Sequence, residues 1–201
     1  MLFSRFLAIS TCLGGLANAV DIQLVPGPGL PTLESQNITA EDLSSWTLGN
    51  MSAPKLKTRD CDNERFFQGD TCGTSGQMKS VENEVLWGAG LRSAWACYVY
   101  LNALRQNVCK LEGHAFFCMA KYDQGDYDAV VKGWTSKNAT KSPETSYCGD
   151  VGQGLKWILQ NCQGEEGEGN TTKTSIGRAS SNGNGELYVE LRRWSSIYEV
   201  S

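Results

Sequence analysis

Histidine is nearly missing, with His114 the single one in 201 residues. At most one Ser-His-acid or Cys-His constellation can therefore exist. No C-x-x-C pair occurs, so zinc-finger and zinc-hydrolase spacings are absent. There is no glycine-rich phosphate loop and no G-x-S-x-G elbow. Positive charge is also short: 18 Lys and Arg stand against 22 Asp and Glu, for a formal net charge of -4. A phosphate-tracking nucleic-acid binder needs a basic face, and this balance argues against one. No apolar run approaches the ~20 residues that a membrane-spanning helix requires. No motif implies a cofactor or a metal.

Cysteine, by contrast, is abundant, with eight in the chain. Residues 1–19 have the pattern of a secretory signal peptide. Arg5 precedes the apolar stretch Phe6–Leu16, and Ala17-Asn18-Ala19 supplies a small-x-small cleavage site. The sequons at Asn37, Asn50, Asn138 and Asn170 agree with passage through a eukaryotic secretory route and predict surface positions for those asparagines. Cys12 leaves with the signal. Cys61, Cys72, Cys97, Cys109, Cys118, Cys148 and Cys162 remain, and in an oxidising compartment they are expected to form three disulfides with one thiol left over. Cys148 and Cys162 bracket a helical pattern that would hold them about 21 Å apart, so each must bond to another segment. Cys109 with Cys118 and Cys61 with Cys72 are candidate local pairs, and the full pairing stays open.

The mature chain divides near residue 60. Residues 20–59 lack cysteine, contain Pro26-Gly27-Pro28-Gly29-Leu30-Pro31, and are expected to be a low-order lead segment. A short helix is expected where Thr39 and Asp42 resemble a capping box. The closing Lys55-Leu56-Lys57-Thr58-Arg59 fits either a propeptide cut after Arg59 or a basic patch on an uncut linker. Residues 60–201 are expected to form one cysteine-rich α+β domain, disulfide-stapled, with two or three helices and a C-terminal antiparallel hairpin.

Apolar residues from Val81 to Val108 recur at steps of three and four, with Gly88-Ala89-Gly90 dividing them into helices over 81–87 and 90–108. Phe116–Tyr122 suits a buried strand, and Asp126 suits the cap of a short helix through Trp134. Cys148, Val151, Leu155, Ile158 and Cys162 line one helical face, although Gly152 and Gly154 each cost about 1 kcal/mol there. Ser181–Gly185 suits a turn, and Leu187, Val189 and Leu191 alternate with Tyr188, Glu190 and Arg192 beyond it.

Candidate chemistry is sparse. His114, beside aromatics, suits a structural role better than catalysis. Asp123, Asp126 and Asp128 cluster but fit no EF-hand. Glu165, Glu166 and Glu168 suit a solvated loop. Of the six tryptophans, Trp95 and Trp194 fit core faces, whereas Trp157 falls off its helical stripe. An exposed aromatic of that kind can anchor a partner.

The cysteines from Cys61 to Cys162, the helix between Cys148 and Cys162, and the strand Glu186–Trp194 (ELYVELRRW) carry a resemblance of architecture. Together with the leader and the lead segment they resemble small secreted cysteine-rich fungal effectors, killer-toxin-like proteins and necrosis-inducing-factor-like proteins. The resemblance covers residues 60–201 and transfers no functional residue. It implies a secreted glycoprotein that binds an extracellular target, such as a host or competitor protein or a cell-wall glycan. A hydrolase using paired carboxylates and a structural wall or surface protein are the alternatives.

Overall fold

The computed structural model describes residues 22–44, 70–73, 87–111, 116–122, 127–135, 145–166, 172–181 and 184–193. In chain order the elements are β1 (Ile22–Pro26), a 3-10 turn (Glu34–Gln36), α1 (Ala40–Ser44), β2 (Thr71–Cys72), β3 (Ala89–Gly90), α2 (Leu91–Leu104), β4 (Val108–Lys110), β5 (Phe116–Tyr122), β6 (Ala129–Thr135), β7 (Thr145–Tyr147), α3 (Cys148–Asn161), β8 (Gln163–Glu166), β9 (Thr172–Ser175), β10 (Gly177–Ser181) and β11 (Asn184–Arg192). The fold is mixed α+β, with a larger sheet than a terminal hairpin supplies. Six strands pair in the order β1-β5-β6-β11-β10-β2, every neighbour antiparallel. The β10–β11 pair lies inside this sheet. Two small ladders, β3-β9-β8 and β4-β7, stand beside it.

Alternation along β11 sets the layers. Leu187, Val189 and Leu191 are fully buried, and α3 packs on β10 and β11 while α2 packs on β5 and β6. α3 runs from Cys148 to Asn161 as its stripe predicts, and its Leu155, Ile158 and Leu159 are fully buried. Each such side chain contributes roughly 1.5–3 kcal/mol of burial. The two glycines that weaken α3 as an isolated helix let it sit close to its neighbours. A Cβ at Gly154 would lie 2.8 Å from the Ser180 carbonyl oxygen, and one at Gly152 would lie 3.2 Å from the Asn102 nitrogen.

Within the lead segment, residues 22–44 take up regular elements where low order is expected. β1 pairs with β5 from Ile22↔Tyr122 to Pro26↔Cys118, so it forms one edge of the main sheet. Leu43 of α1 is 2% exposed and joins the same core as α2. The Tyr100 hydroxyl, on α2, donates to the Pro31 carbonyl at 2.6 Å, and burial pushes this phenol's pKa up to about 12. The capping box forms as expected: the Thr39 N–H donates to Asp42 Oδ2 at 2.8 Å, and the Asp42 N–H donates to Thr39 Oγ1 at 3.2 Å. The Thr39 N–H and the Thr39 hydroxyl, each donating to Oδ2 at 2.8 Å, hold the Asp42 carboxyl below its ordinary pKa.

Three further expectations are corrected. Ala129–Thr135 is a strand, not a helix, because Val130 and Val131 lie in a ladder between β5 and β11. The long helix stops at Leu104 rather than 108, and Val108 stands in β4, where it is 53% exposed. Gln163–Glu166 is a strand of the small ladder rather than a loop, with Glu165 exposed. The expected helix over 81–87 falls mostly on residues outside those described.

Among the described residues three disulfides form, none of them local. Cys97 on α2 bonds Cys118 on β5, Cys72 on β2 bonds Cys162 after α3, and Cys109 on β4 bonds Cys148 at the start of α3. The candidate pairs Cys109–Cys118 and Cys61–Cys72 are thereby corrected. Cys148 and Cys162 do bond to other segments, as their separation along the helix requires. Cys61 lies outside the described residues.

Candidate functional site

The end of α2, the turn after it and the start of α3 enclose an open cleft of about 290 Å³. The Cys109–Cys148 disulfide ties the start of α3 to β4, and in the β4–β7 ladder Cys109 faces Ser146. Strand alternation turns Cys109 and Ser146 inward, and the Ser146 hydroxyl lies 2.6 Å from that of Ser181. The same alternation turns Val108 and Tyr147, a directly opposed pair, toward solvent. They are 53% and 55% exposed, two of the four large apolar side chains so exposed among the described residues.

The turn that leaves α2 is unusual. The Asn107 N–H donates to the Leu104 carbonyl at 2.9 Å, closing a four-residue turn over Arg105 and Gln106. Arg105 has φ 44° and ψ -103°, close to the first central position of a type II′ turn, where glycine dominates. An arginine held there stores strain of about 1–3 kcal/mol, and such strain collects at binding and catalytic sites. The conformation is fixed from the α3 side: the Gly149 N–H donates to the Arg105 carbonyl at 2.9 Å, and the Cys148 N–H donates to the Asn107 carbonyl at 2.8 Å. Gly149 permits this approach, since a Cβ there would lie 3.1 Å from the Arg105 oxygen.

Replacing Arg105 with glycine is expected to raise the melting temperature by about 2–4 °C, the response to roughly 1 kcal/mol of relieved strain. A lower melting temperature for Arg105→Gly would show that the arginine side chain stabilises the turn.

Polar groups converge on this turn. Gln153 Nε2 donates to Asn102 Oδ1 at 3.2 Å across the α2–α3 groove, and Asp150 lines the cleft from the first turn of α3. The lining therefore has one cation, one carboxylate, three side-chain amides and an exposed phenol. A single carboxylate does not make the acid pair that glycoside hydrolysis needs.

Among the described residues, none of those singled out from sequence lines the cleft. His114, Asp123, Asp126, Asn50, Asn138, Asn170, Trp46 and Trp194 fall outside the described residues. Asn37 is exposed and adopts the left-handed conformation that ends the 3-10 turn. Trp95 and Trp157 are partly buried and pack against the core. Trp134 is half-buried under the Lys132 ammonium, 5.7 Å from its ring, and Trp87 is 50% exposed. No group of three His, Cys, Asp or Glu placed to hold a metal occurs among the described residues.

Asp128 sits beside Arg193, whose guanidinium lies 3.4 Å from the centre of the Tyr127 ring. Burial raises the Asp128 pKa, against the opposing pull of Lys121 and Arg193. The folded form thus holds this proton more tightly than the unfolded chain does. Its contribution to stability is full below the unfolded carboxyl pKa and is lost as pH rises through the folded one. Asp128→Asn should therefore melt about 1–3 °C higher than the wild type at neutral pH, a gain that vanishes in acid. Thermal scans at both pH values check this, and an equal difference at both would refute it.

Tyr147, Arg105 and the amides of Asn102, Gln106 and Gln153 were not singled out from sequence. The available signal was an aromatic residue directly before a helix-opening cysteine. No family model, no curated protein and no solved structure matches this chain.

Proposed function

We propose that this is a secreted, glycosylated, disulfide-stabilised protein that acts outside the cell by binding a target, in the manner of an effector or toxin, and that the cleft at Arg105 and Tyr147 is its recognition surface. Three disulfides are compatible with an extracellular protein, and no helix among the described residues is long and apolar enough to cross a membrane. The leader and the sequons support the same route. The observation that carries the binding reading is the solvent-facing Val108–Tyr147 pair beside a strained arginine. The pair is turned to solvent by strand alternation, and bonds from the start of α3, which the Cys109–Cys148 disulfide ties to β4, hold the arginine in its strained conformation.

The test uses fluorescently labelled protein recovered from culture medium and incubated with fungal, plant and bacterial cells. Saturable retention on one of these surfaces is expected, falling about tenfold in Tyr147→Ala, the size of one well-packed aromatic contact. Circular dichroism and melting temperature should be unchanged, because Tyr147 is exposed. Absence of retention on every surface, or retention indifferent to Tyr147, defeats the proposal.

A further inference from the structure

We infer that the ligand class of this cleft is an uncharged carbohydrate chain; the inference rests on the proposed role of the cleft as the recognition surface. Three features of the lining choose among ligand chemistries.

The first is charge. Arg105 and Asp150 contribute one charge of each sign. The opening N–H groups of α3, the part of a helix that attracts anions, already donate at Cys148 and Gly149 to the carbonyls of Asn107 and Arg105. A phosphate or a sulfated polymer requires several cations converging on it, and the lining supplies one, set beside a carboxylate.

The second is the hydrogen-bonding inventory. Each side-chain amide carries a carbonyl acceptor and an NH₂ donor on one planar group, matched to adjacent hydroxyls that both donate and accept. The Gln153–Asn102 bond uses one N–H and one carbonyl oxygen, which leaves the Asn102 NH₂ and the Gln153 carbonyl oxygen for a ligand. That bond also holds the two amides in a fixed mutual orientation, so less side-chain freedom is lost on binding.

The third is apolar shape. Tyr147 presents a rigid ring with a polar tip at low conformational cost, and such a ring can lie against the C–H face of a sugar. A protein hot spot instead needs aromatic or arginine anchors enclosed by a dry ring of contacts, and this cleft is open and rimmed by amides. Its volume lies at the small end of ligand sites, suited to a short stretch of a longer chain.

Calorimetric titration of the full secreted chain with hexasaccharides of chitin, β-1,3-glucan, cellulose and mannan tests this. Heparin and oligogalacturonate hexasaccharides serve as anionic comparators. A neutral hexasaccharide should saturate the protein with an affinity that changes less than about twofold between low and high salt, since no ion pair is formed. Tyr147→Ala should weaken that binding about tenfold, and Gln153→Ala a further several-fold, with melting temperatures unchanged. Saturation by anionic chains alone, saturation by no saccharide, or affinity unchanged in Tyr147→Ala overturns the inference.

Enzymatic treatment of the cells separates this failure from that of the binding role. Tyr147-dependent retention that survives digestion of the surface with chitinase, glucanases and mannanase but not proteinase digestion keeps the recognition surface and removes the carbohydrate. Absence of any retention removes both.

Discussion

Replacing Cys109 and Cys148 together with alanine is expected to lower the unfolding free energy by about 4 kcal/mol. The bridge closes a loop with a sequence separation of 39, and chain entropy assigns a crosslink of that span about this much restraint of the unfolded state. Both cysteines are fully buried, so the lost sulfurs add a packing penalty to the entropic one. For a domain whose whole stability is about 5–15 kcal/mol, the loss is a large fraction. Urea unfolding of the double variant measures it, and a loss below about 1 kcal/mol would show that the β4–β7 ladder and the α2–α3 contact suffice without the bridge. Ligand affinity should fall in the same variant while it is still folded, because the bridge anchors the strand that presents Tyr147 and the helix that fixes Arg105. A variant lacking the Cys97–Cys118 bridge provides the contrast: comparable destabilisation, with the cleft left in place.

Truncating Glu190 to alanine is expected to cost about 3–5 kcal/mol, the range seen when one partner is removed from a buried charge cluster. Glu190 is fully buried on the sheet face opposite the helices, and it lies across from Arg178 on β10 and Lys132 on β6. Arg178 Nε donates to Glu190 Oε2 at 2.7 Å, and Arg192 Nε lies 3.7 Å from Oε1. Removing this buried carboxylate takes away the anion that Arg178 and Arg192 share, at side chains that are themselves 22% and 7% exposed. The melting temperature should drop by about 10 °C or more. Glu190→Gln, which keeps an acceptor and the side-chain volume, should fall between wild type and alanine. A loss within about 1 kcal/mol for Glu190→Ala would mean that the cluster contributes little, as exposed ion pairs do.

Sequence reasoning succeeded where the determinant is local and failed where the partner is distant. The α3 stripe, the Thr39 capping box and the alternation along β11 each repeat within a few residues, so their periodicity can be read directly. β1 is different. Only Ile22 and Leu24 pack inward, and a flanking Pro-Gly stretch masks so short a pattern; its strand character comes from pairing with β5, about a hundred residues later. Val130 and Val131 are the β-branched signal that should have outweighed a possible cap at Asp126. The disulfides fail for the same reason as β1, because pairing follows the packing of α2 on β5 and of α3 on β4, which no spacing encodes.

The cleft was the least legible part. Its residues come from three segments, and none belongs to a motif. Arg105 is unremarkable in a one-letter sequence, and its strain appears only once the turn is closed by Asn107.

The lead segment changes the meaning of a cut after Arg59. Residues 20–59 hold no cysteine, so no disulfide would join the two pieces. The β1–β5 ladder and the Tyr100–Pro31 bond would hold them together without a covalent link.

The strand order also bears on biosynthesis. β11 is the last of the described strands in chain order, yet it lies in the middle of the sheet, between β6 and β10. Until β11 is in place, β6 and β10 each have a bare edge, and the β10–β2 pair is cut off from β6, β5 and β1. Assembly cannot proceed from the first residue to the last. The nascent chain must wait with open edges until β11 is made, and completion of the sheet is expected to be gated by that strand rather than by the start of translation.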